Sequence, residues 1–531
     1  MTQISDRLAS QTRMAIVLLA CTMNPLALAQ IEVIVATTGE RADVGIANDS
    51  VGFMYHFDVS PNGEWWAGHF ETDDGLDEFH LRGQDTTSFD IVWMEGQPAP
   101  GGLTGQIGAT PTLRQVDIND IGNVAGFART RESGITLGEV VYRYDGASIN
   151  VIAATGQAIP ALPGATYGAD FLSPNIAANG ILSFYAENIS GAGISTANDA
   201  LTVSGNGNVL AGQQKGVTSY AGAPLTRIDP DKFVATGVDD RFIFAGDTSA
   251  STATDDLVVV GTLGSAGDIV LQEGVTPVTT SGGAELFDVA SHVVLGGTAW
   301  FAAGDTVGGT GVVLRDGVVI ASEGDTAPNG FGYVGDPIAL AADQADNYAW
   351  VWRTDNPDPE RDLVLVYNGT SVVIVEHDTL MYDVDADGTA DEVRMDRLFE
   401  DFFDLELASG HIYFMTELDD PVTTVFAGYA FLRVPVSADE DGDGVVDSDD
   451  NCIEIANADQ RDTDSDGFGN ACDPDLNNDG TINVIDLGLL RSVFFSSDAN
   501  ADFNGDGVVN VIDLGVMRAT FFGTPGPSGV E

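Results

Sequence analysis

The sequence predicts a mainly β fold: a seven-bladed β-propeller closed by its own N-terminal strand, then a run of oxygen-rich loops and a small α-helical module. Three observations carry this. A glycine-centred marker recurs every 50 to 62 residues through the first four-fifths of the chain. Between markers, β-branched and aromatic segments of 5 to 9 residues alternate with turns rich in Asn, Asp and Gly. Beyond residue 438 the composition changes, and residues 439–531 hold 21 acids and 3 bases.

The chain has 531 residues, 81 acidic and 21 basic side chains, and a net charge of −60, yet 44% of it is hydrophobic. That apolar content supports a sizeable core and excludes an acidic disordered chain. Such a negative field repels nucleic acid and anionic lipid and attracts cations. Adaptation to saline surroundings is enough for the diffuse charge but not for its clusters. Residues 1–29 read as a secretory signal: Arg7 and Arg13, the apolar "MAIVLLACTM" from Met14, then Ala27-Leu28-Ala29 before Gln30. The alternative, a lipoprotein signal ending at Cys21, implies a lipid anchor. No later stretch reaches the roughly 18 apolar residues of a membrane span. The chain is therefore expected outside the cell or on its surface. Cleavage after Ala29 leaves Cys452 and Cys472, which an exported protein can oxidise.

The markers lie at Gly39, Gly96, Gly156, Gly212, Gly274 and Gly324, with a degenerate copy, "VEHDTL", at His377. Each unit between them offers about four short antiparallel strands, for example "DKFVATGVDD", "RFIFAGDT", "DDLVVVGTL" and "DIVLQEG". Radial stacking of such units hides their sheet edges, which is the logic of a propeller, here over residues 30–437. An open β-solenoid is the alternative. The ends of the repeat favour closure: the last unit offers three strands, and "IEVIVATTG" from Ile31 is a lone strand ending in the marker. The segments "NDIGNVAGFA" (Asn119 to Ala128), "ANGILSFYA" and "PNGEWWAG" resemble the N-x-x-G-x-x-A-F tandem repeat of secreted bacterial surface proteins, over about Ile31–Val436.

The acidic C-terminus fits a twelve-position calcium loop four times. Positions 1, 3, 5, 7, 9 and 12 of such a loop supply oxygens, and a glycine at 6 makes the turn. The first copy has Asp439, Asp441, Asp443, Val445, Asp447 and Asp450; the second has Asp462, Asp464, Asp466, Phe468, Asn470 and Asp473. The third has Asp475, Asn477, Asp479, Thr481, Asn483 and Asp486; the fourth has Asp502, Asn504, Asp506, Val508, Asn510 and Asp513. A hard divalent cation takes six to eight oxygens, and the crowded carboxylates are tolerable once it neutralises them. About four Ca2+ ions are expected here. The first two loops, within residues 438–473, closely resemble thrombospondin type 3 repeats, with D-N-C and G-N-x-C-D signatures. That resemblance implies a chain wrapped around its ions and a Cys452–Cys472 bridge. The last two loops each precede an amphipathic helix, "INVIDLGLLRSVFF" and "VNVIDLGVMRATFF", near copies 27 residues apart. Ile485, Leu489 and Val493, with Ile512, Val516 and Thr520, read as the helical stripe. Loop-then-helix, twice, over residues 474–522 resembles a dockerin module. The resemblance implies a cohesin-like or other cell-surface partner, or attachment to polysaccharide-degrading assemblies. Residues 523–531 read as an exposed tail.

Within the ring, "DVDADGTAD" places Asp383, Asp385, Asp387 and Asp391 as in calcium loops of integrin-type propeller blades, against the plainer reading of an acidic hairpin. His56, His69 and His80, on three consecutive strands, are candidates to meet at one rim around a metal or a sugar; satisfied strand histidines are the plainer reading. No nucleophile elbow, H-E-x-x-H or phosphate loop is present. The expected function is a non-catalytic surface or adhesion protein that binds calcium. The alternative is an extracellular polysaccharide-degrading enzyme, a propeller glycosidase or lyase.

Overall fold

The computed structural model describes residues 31–39, 50–73, 77–84, 89–108, 116–177, 180–204, 210–235, 241–385, 389–396, 405–421, 426–436, 450–457, 460–464 and 466–528. The expected propeller is present, with seven blades. Four strands, Val51–Val59, Trp66–Thr72, Glu78–Gly83 and Phe89–Met94, form the first blade in simple meander order. Five further antiparallel blades follow along the chain to Val375, with a two-stranded sheet, Ala165–Thr166 with Ser190–Gly191, beside the third. The inner strands touch in turn around the axis, from Val51–Val59 through Asp117–Ile118, Asp170–Ile176, Ala223–Ala235, Gly283–Leu295 and Ala339–Ala342 to Leu405–Ala408, which meets the first again.

The seventh blade joins the two ends of the ring. Strand Glu32–Ala36 pairs antiparallel with Phe426–Pro435, Glu32 opposite Arg433 and Ala36 opposite Ala430. Val35 and Ala36 are fully buried, and Arg433 Nη2 lies 2.6 Å from Glu32 Oε2. The sheet also carries a hairpin that the repeat does not foretell: Thr379–Tyr382 and Asp391–Asp396, the latter pairing with His411–Asp419.

The marker has a conformational cause. Gly39, Gly96, Gly156, Gly274 and Gly324 all have φ between 61 and 85°, a region open to glycine and costly for most side chains. The amides of Gly96, Gly156, Gly274 and Gly324 each donate to the next unit, to Ile107, Tyr167, Phe287 and Tyr333 respectively. At Gly212 the expected register fails: the turn is made four residues later by Gly216, φ 67°, whose amide donates to Leu225. His377 makes the same turn without a glycine, at φ 66°, with its amide on Met395. Between blades the core is aromatic, with Trp93, Trp350, Trp352, Phe57 and Phe127 buried.

At the C-terminus, α1 (Val484–Ser492) and α2 (Val511–Ala519) each begin with an Asn cap and an Asp three residues on, Asn483 with Asp486 and Asn510 with Asp513. Such reciprocal caps satisfy amides that a helix start leaves open. The buried face overlaps the expected stripe only in part. Leu490 and Met517 point into a small core with Ile482, Ala501, Phe503 and Val509, whereas Ile485 and Ile512 are 55% and 53% exposed. Val493 and Val516 of that stripe do pack against this core, and the buried helix face also carries the loop-ending acids Asp486 and Asp513, which apolar periodicity does not mark. Cys452 and Cys472 form the disulfide. Residues 523–528 are not a free tail: Ile482 donates to Gly523, Gly526 to Cys472, Ile453 to Pro527, and Ser528 Oγ to the Gly467 carbonyl.

Candidate functional site: two loop–helix units and an acidic channel

The third and fourth loops fold as near copies. Asp475 Oδ2 accepts the amides of Gly480 at 2.6 Å and Thr481 at 3.1 Å, and Asp502 Oδ2 accepts that of Gly507 at 2.8 Å. Asp479 and Asp506 accept the amides of Thr481 and Val508, turning both backbones around a concave row of oxygens. Asn477 and Asn504 donate side-chain N–H groups to Asp479 and Asp506. The ends of the loops lock into the helices: the Asn483 amide donates to Asp486 Oδ2 at 2.8 Å, and that of Asn510 to Asp513 Oδ2 at 2.7 Å. One difference between the copies bears on a ligand. Asp513 Oδ1 accepts the Phe503 amide at 2.8 Å, while Asp486 Oδ1 is buried without a partner. Asp486 is 0% exposed, and a lone carboxylate oxygen in that setting is costly unless it is compensated. A calcium ion, taking hard oxygens from alternate loop positions, is the group these residues fit.

The second loop is partly assembled in the same way. Asp462, Asp464 and Asp466 bring one oxygen each within 4.8 Å of one another, and Asp462 Oδ2 accepts the Gly467 amide. Phe468 turns with its amide on Asp466. Asn470 Oδ1 accepts the Thr463 amide within the loop at 2.8 Å, and its side-chain N–H donates to the Ala499 carbonyl at 2.8 Å. Asp473 is buried and accepts the Asp475 amide, and burial together with the charges of Asp466, Asp464 and Asp475 pushes its carboxyl up to about 7. Of the first loop, Asp439, Asp441, Asp443, Val445 and Asp447 lie outside the described residues. Its last position, Asp450, is 1% exposed with Oδ2 unpartnered, which repeats the signature of Asp486.

In the ring, Asp383, Asp385 and Asp391 gather within 4.8 Å at the turn of the added hairpin, beside the closing strand, where Thr38 Oγ1 donates to the Val384 carbonyl at 2.7 Å. Asp387 lies outside the described residues. The histidines line up, and the rings of His69 and His80 meet edge to face with centroids 4.8 Å apart. His56 pairs opposite His69, His69 opposite His80 and His80 opposite Trp93, a row across the first blade. His80 Nδ1 lies 2.5 Å from Tyr142 Oη, and His69 Nε2 lies 3.2 Å from Glu78. Burial, then His69 and His56, holds His80 well below the ordinary imidazole range. Among the described residues, no metal-sized cluster includes any of the three.

Sequence reasoning missed the axial channel, a cavity of about 250 Å³ lined by His56, Asp58, Asp117, Asn175, Asp343 and Glu406. Asp58 and Asp117 share a hydrogen bond; burial, then the charges of Asp117 and Glu406, raises Asp58 well above the usual carboxylate range, and burial raises Asp117. Their other bonds run between blades. Asp58 Oδ2 accepts the Ile118 amide at 2.8 Å, Asp117 Oδ2 accepts the Ile176 amide at 2.6 Å, and Asn175 Nδ2 donates to the Phe233 carbonyl at 3.5 Å. The signal was available: Asp58, Asp117 and Asn175 recur at the repeat spacing on successive inner strands.

Residues 473–521 match the sequence profile of the dockerin type I domain. The C-terminal module is a dockerin. Dockerins of this type generally bind calcium and cohesin partners, and they occur in extracellular or cell-surface proteins. No curated protein matches the chain in sequence. Among solved structures, the ring is similar to the β-propeller domain of the Trilobed protease from Pyrococcus furiosus, at 8% identity and TM-score 0.37, covering 73% of this chain and 97% of that one. It is also similar to prolyl oligopeptidase B from Galerina marginata, at 12% identity and TM-score 0.37, covering 72% of this chain and 48% of that one. The sialidase of Trypanosoma rangeli matches at 6% identity and TM-score 0.30, covering 76% and 57%. The chain thus spans about half the length of the oligopeptidase. At these scores the likenesses carry no argument about activity. No helix among the described residues is long and apolar enough to cross a membrane.

Proposed function

We propose that this chain is a secreted, calcium-binding, non-catalytic surface or adhesion protein whose ring presents a binding face and whose dockerin attaches it to a cohesin-like partner. The observation that carries this reading is the paired loop–helix unit with the buried, unpartnered Asp486 Oδ1, an oxygen set that a divalent cation completes. Calcium is assigned to all four C-terminal loops, with Asp450 and Asp473 closing the first two, and to the hairpin turn Asp383–Asp391. The domain limits follow: signal 1–29, ring 30–437, thrombospondin type 3-like loops 438–473 and dockerin 474–522. The resemblance of the ring repeats to bacterial surface proteins supports the adhesive role. The exposed apolar row Val484, Ile485, Val511 and Ile512 supports partner binding through the helices.

A second reading, a propeller enzyme targeted to polysaccharide, is favoured by the paired acids Asp58 and Asp117 in the channel, since perturbed carboxyls in a cleft mark candidate active sites. Against it, a hydrogen-bonded pair is closer than the about 5 Å that separates a glycosidase's two carboxyls, and both acids hold neighbouring blades together.

The test is capture of the full-length chain on an immobilised type I cohesin, with calcium and with EDTA, alongside a reducing-end assay on a polysaccharide panel. Calcium-dependent capture without sugar release is expected. Sugar release that is lost in Asp117→Asn, in a variant that keeps its native melting temperature, would overturn the non-catalytic reading.

A further inference from the structure

The fourth loop is near-identical to the third, so a difference in how they hold calcium must come from their surroundings. The third is entered directly from the disulfide: Cys472 and Asp473 precede it, and the Asp475 amide donates to Asp473 Oδ1 at 3.0 Å. The fourth follows a linker, residues 493–501, in which the carbonyls of Val493, Ser496 and Asp498 accept backbone amides of Ser496, Val509 and Asp502. For Ala499 and Asn500, and for the start of the loop itself, segment 450–473 supplies donors. Arg461 Nη2 donates to the Asp502 carbonyl at 2.5 Å and to that of Phe503 at 3.4 Å, and Nη1 donates to that of Ala499 at 3.2 Å. Asn470 Nδ2 donates to Ala499 at 2.8 Å and Asn500 at 3.4 Å, and Asn500 Nδ2 returns a bond to Asp464 Oδ2 at 3.0 Å.

Arg461 itself stands on a fixed platform. Its carbonyl accepts the Asn470 amide at 2.7 Å, and the carbonyl of Gln460 before it accepts Asn451 Nδ2 at 3.0 Å, next to the Cys452–Cys472 bridge.

We propose that segment 450–473 is a splint for the second dockerin loop, and that Arg461 is the residue that positions Asp502, the first ligand of that loop, for its cation. The inference rests on the calcium reading above. Holding a ligand-bearing backbone in its bound shape spares the cation the ordering cost of assembling it. A guanidinium near a cation site also repels the cation, so the two effects have opposite signs. Positioning makes removal of Arg461 weaken binding; repulsion makes it tighten binding.

The experiment is hydrogen exchange read by mass spectrometry on the full-length, oxidised chain over a calcium series, comparing peptides covering 475–492 with those covering 502–519. In Arg461→Ala the calcium midpoint of the second peptide is expected to rise about tenfold, the lower end of the effect of one lost charge-assisted hydrogen bond, while the first stays put. Arg461→Gln, which keeps a donor, is expected to recover part of the shift, and Asn470→Ala is expected to move the same peptide alone. A midpoint that falls, that does not change, or that rises equally in both peptides overturns the splint and leaves the calcium reading standing. Absence of calcium-dependent protection in the unmodified chain overturns both.

Discussion

In the ring, seven blades bury side chains such as Trp93, Trp350, Trp352 and Phe244. In the dockerin, six residues make the core, and the buried groups around them include the carboxylates of Asp475, Asp486, Asp502 and Asp513. Apolar burial stabilises the first at roughly 25 cal/mol per Å² and is insensitive to ions. The second has little of that term and holds like charges close, so on the calcium reading its stability is expected to depend on the cation. The contrast teaches that one chain can carry two stabilities that respond to different perturbations. All six tryptophans lie in the ring, at positions 65, 66, 93, 300, 350 and 352, so fluorescence reports the ring alone.

The largest expected effect is on closure. Deleting Ile31–Thr37 removes the buried Ile34, Val35 and Ala36 and exposes the edge of Phe426–Pro435. A loss on the order of 5 kcal/mol is expected from the buried area alone, enough to unfold a domain of ordinary stability. Tryptophan fluorescence should lose its cooperative melt, and a melting temperature within a few degrees of the parent would break the closed-ring account. Next, EDTA should abolish exchange protection across 466–522 and leave the fluorescence melt unchanged; a ring that melts early in EDTA would mean the two stabilities are not separate. Reducing Cys452–Cys472, 20 residues apart in sequence, should cost about 3 kcal/mol in the chain-entropy account, again confined to the C-terminus.

The smallest effect is on pH, and it belongs to the ring. His80 is held neutral, so the unfolded chain binds a proton that the folded blade refuses. Its contribution is whole above about pH 6.5, the unfolded value, and is lost as the pH falls below it. Asp256, pushed up to about 7 by burial and Asp247, acts in the opposite sense: its contribution is present at low pH and lost as the pH rises towards 7. The gap in fluorescence melting temperature between His80→Phe and the parent should therefore shift in favour of the variant from pH 8 to pH 5. A constant gap would remove His80 from the ring's acid response.

Much of this was legible in the sequence. The seven blades could be counted because a left-handed turn demands glycine, and the closing strand could be paired because it was a marker without a unit. The same rule misled at Gly212, where Gly216 makes the turn, and it faded at His377, which holds φ 66° with Nε2 2.8 Å from Asp396. The helix faces were read only in part: Val493 and Val516 pack against the core as expected, but Asp486 and Asp513 are buried for their oxygens, a reason hydropathy does not record. The channel acids were hidden in plain abundance: with 81 acids in the chain, only their spacing distinguishes Asp58 and Asp117.

Ring closure through Glu32 and Arg433, 401 residues apart, has a consequence for biogenesis. The partner of the first strand is among the last parts of the ring to leave the ribosome. Bringing ends so far apart together costs about 5 kcal/mol of chain entropy, a cost that grows slowly with length. Until then the seventh blade presents a bare edge to every other emerging copy. The sixty excess negative charges, which keep such copies apart, protect the chain most during that interval.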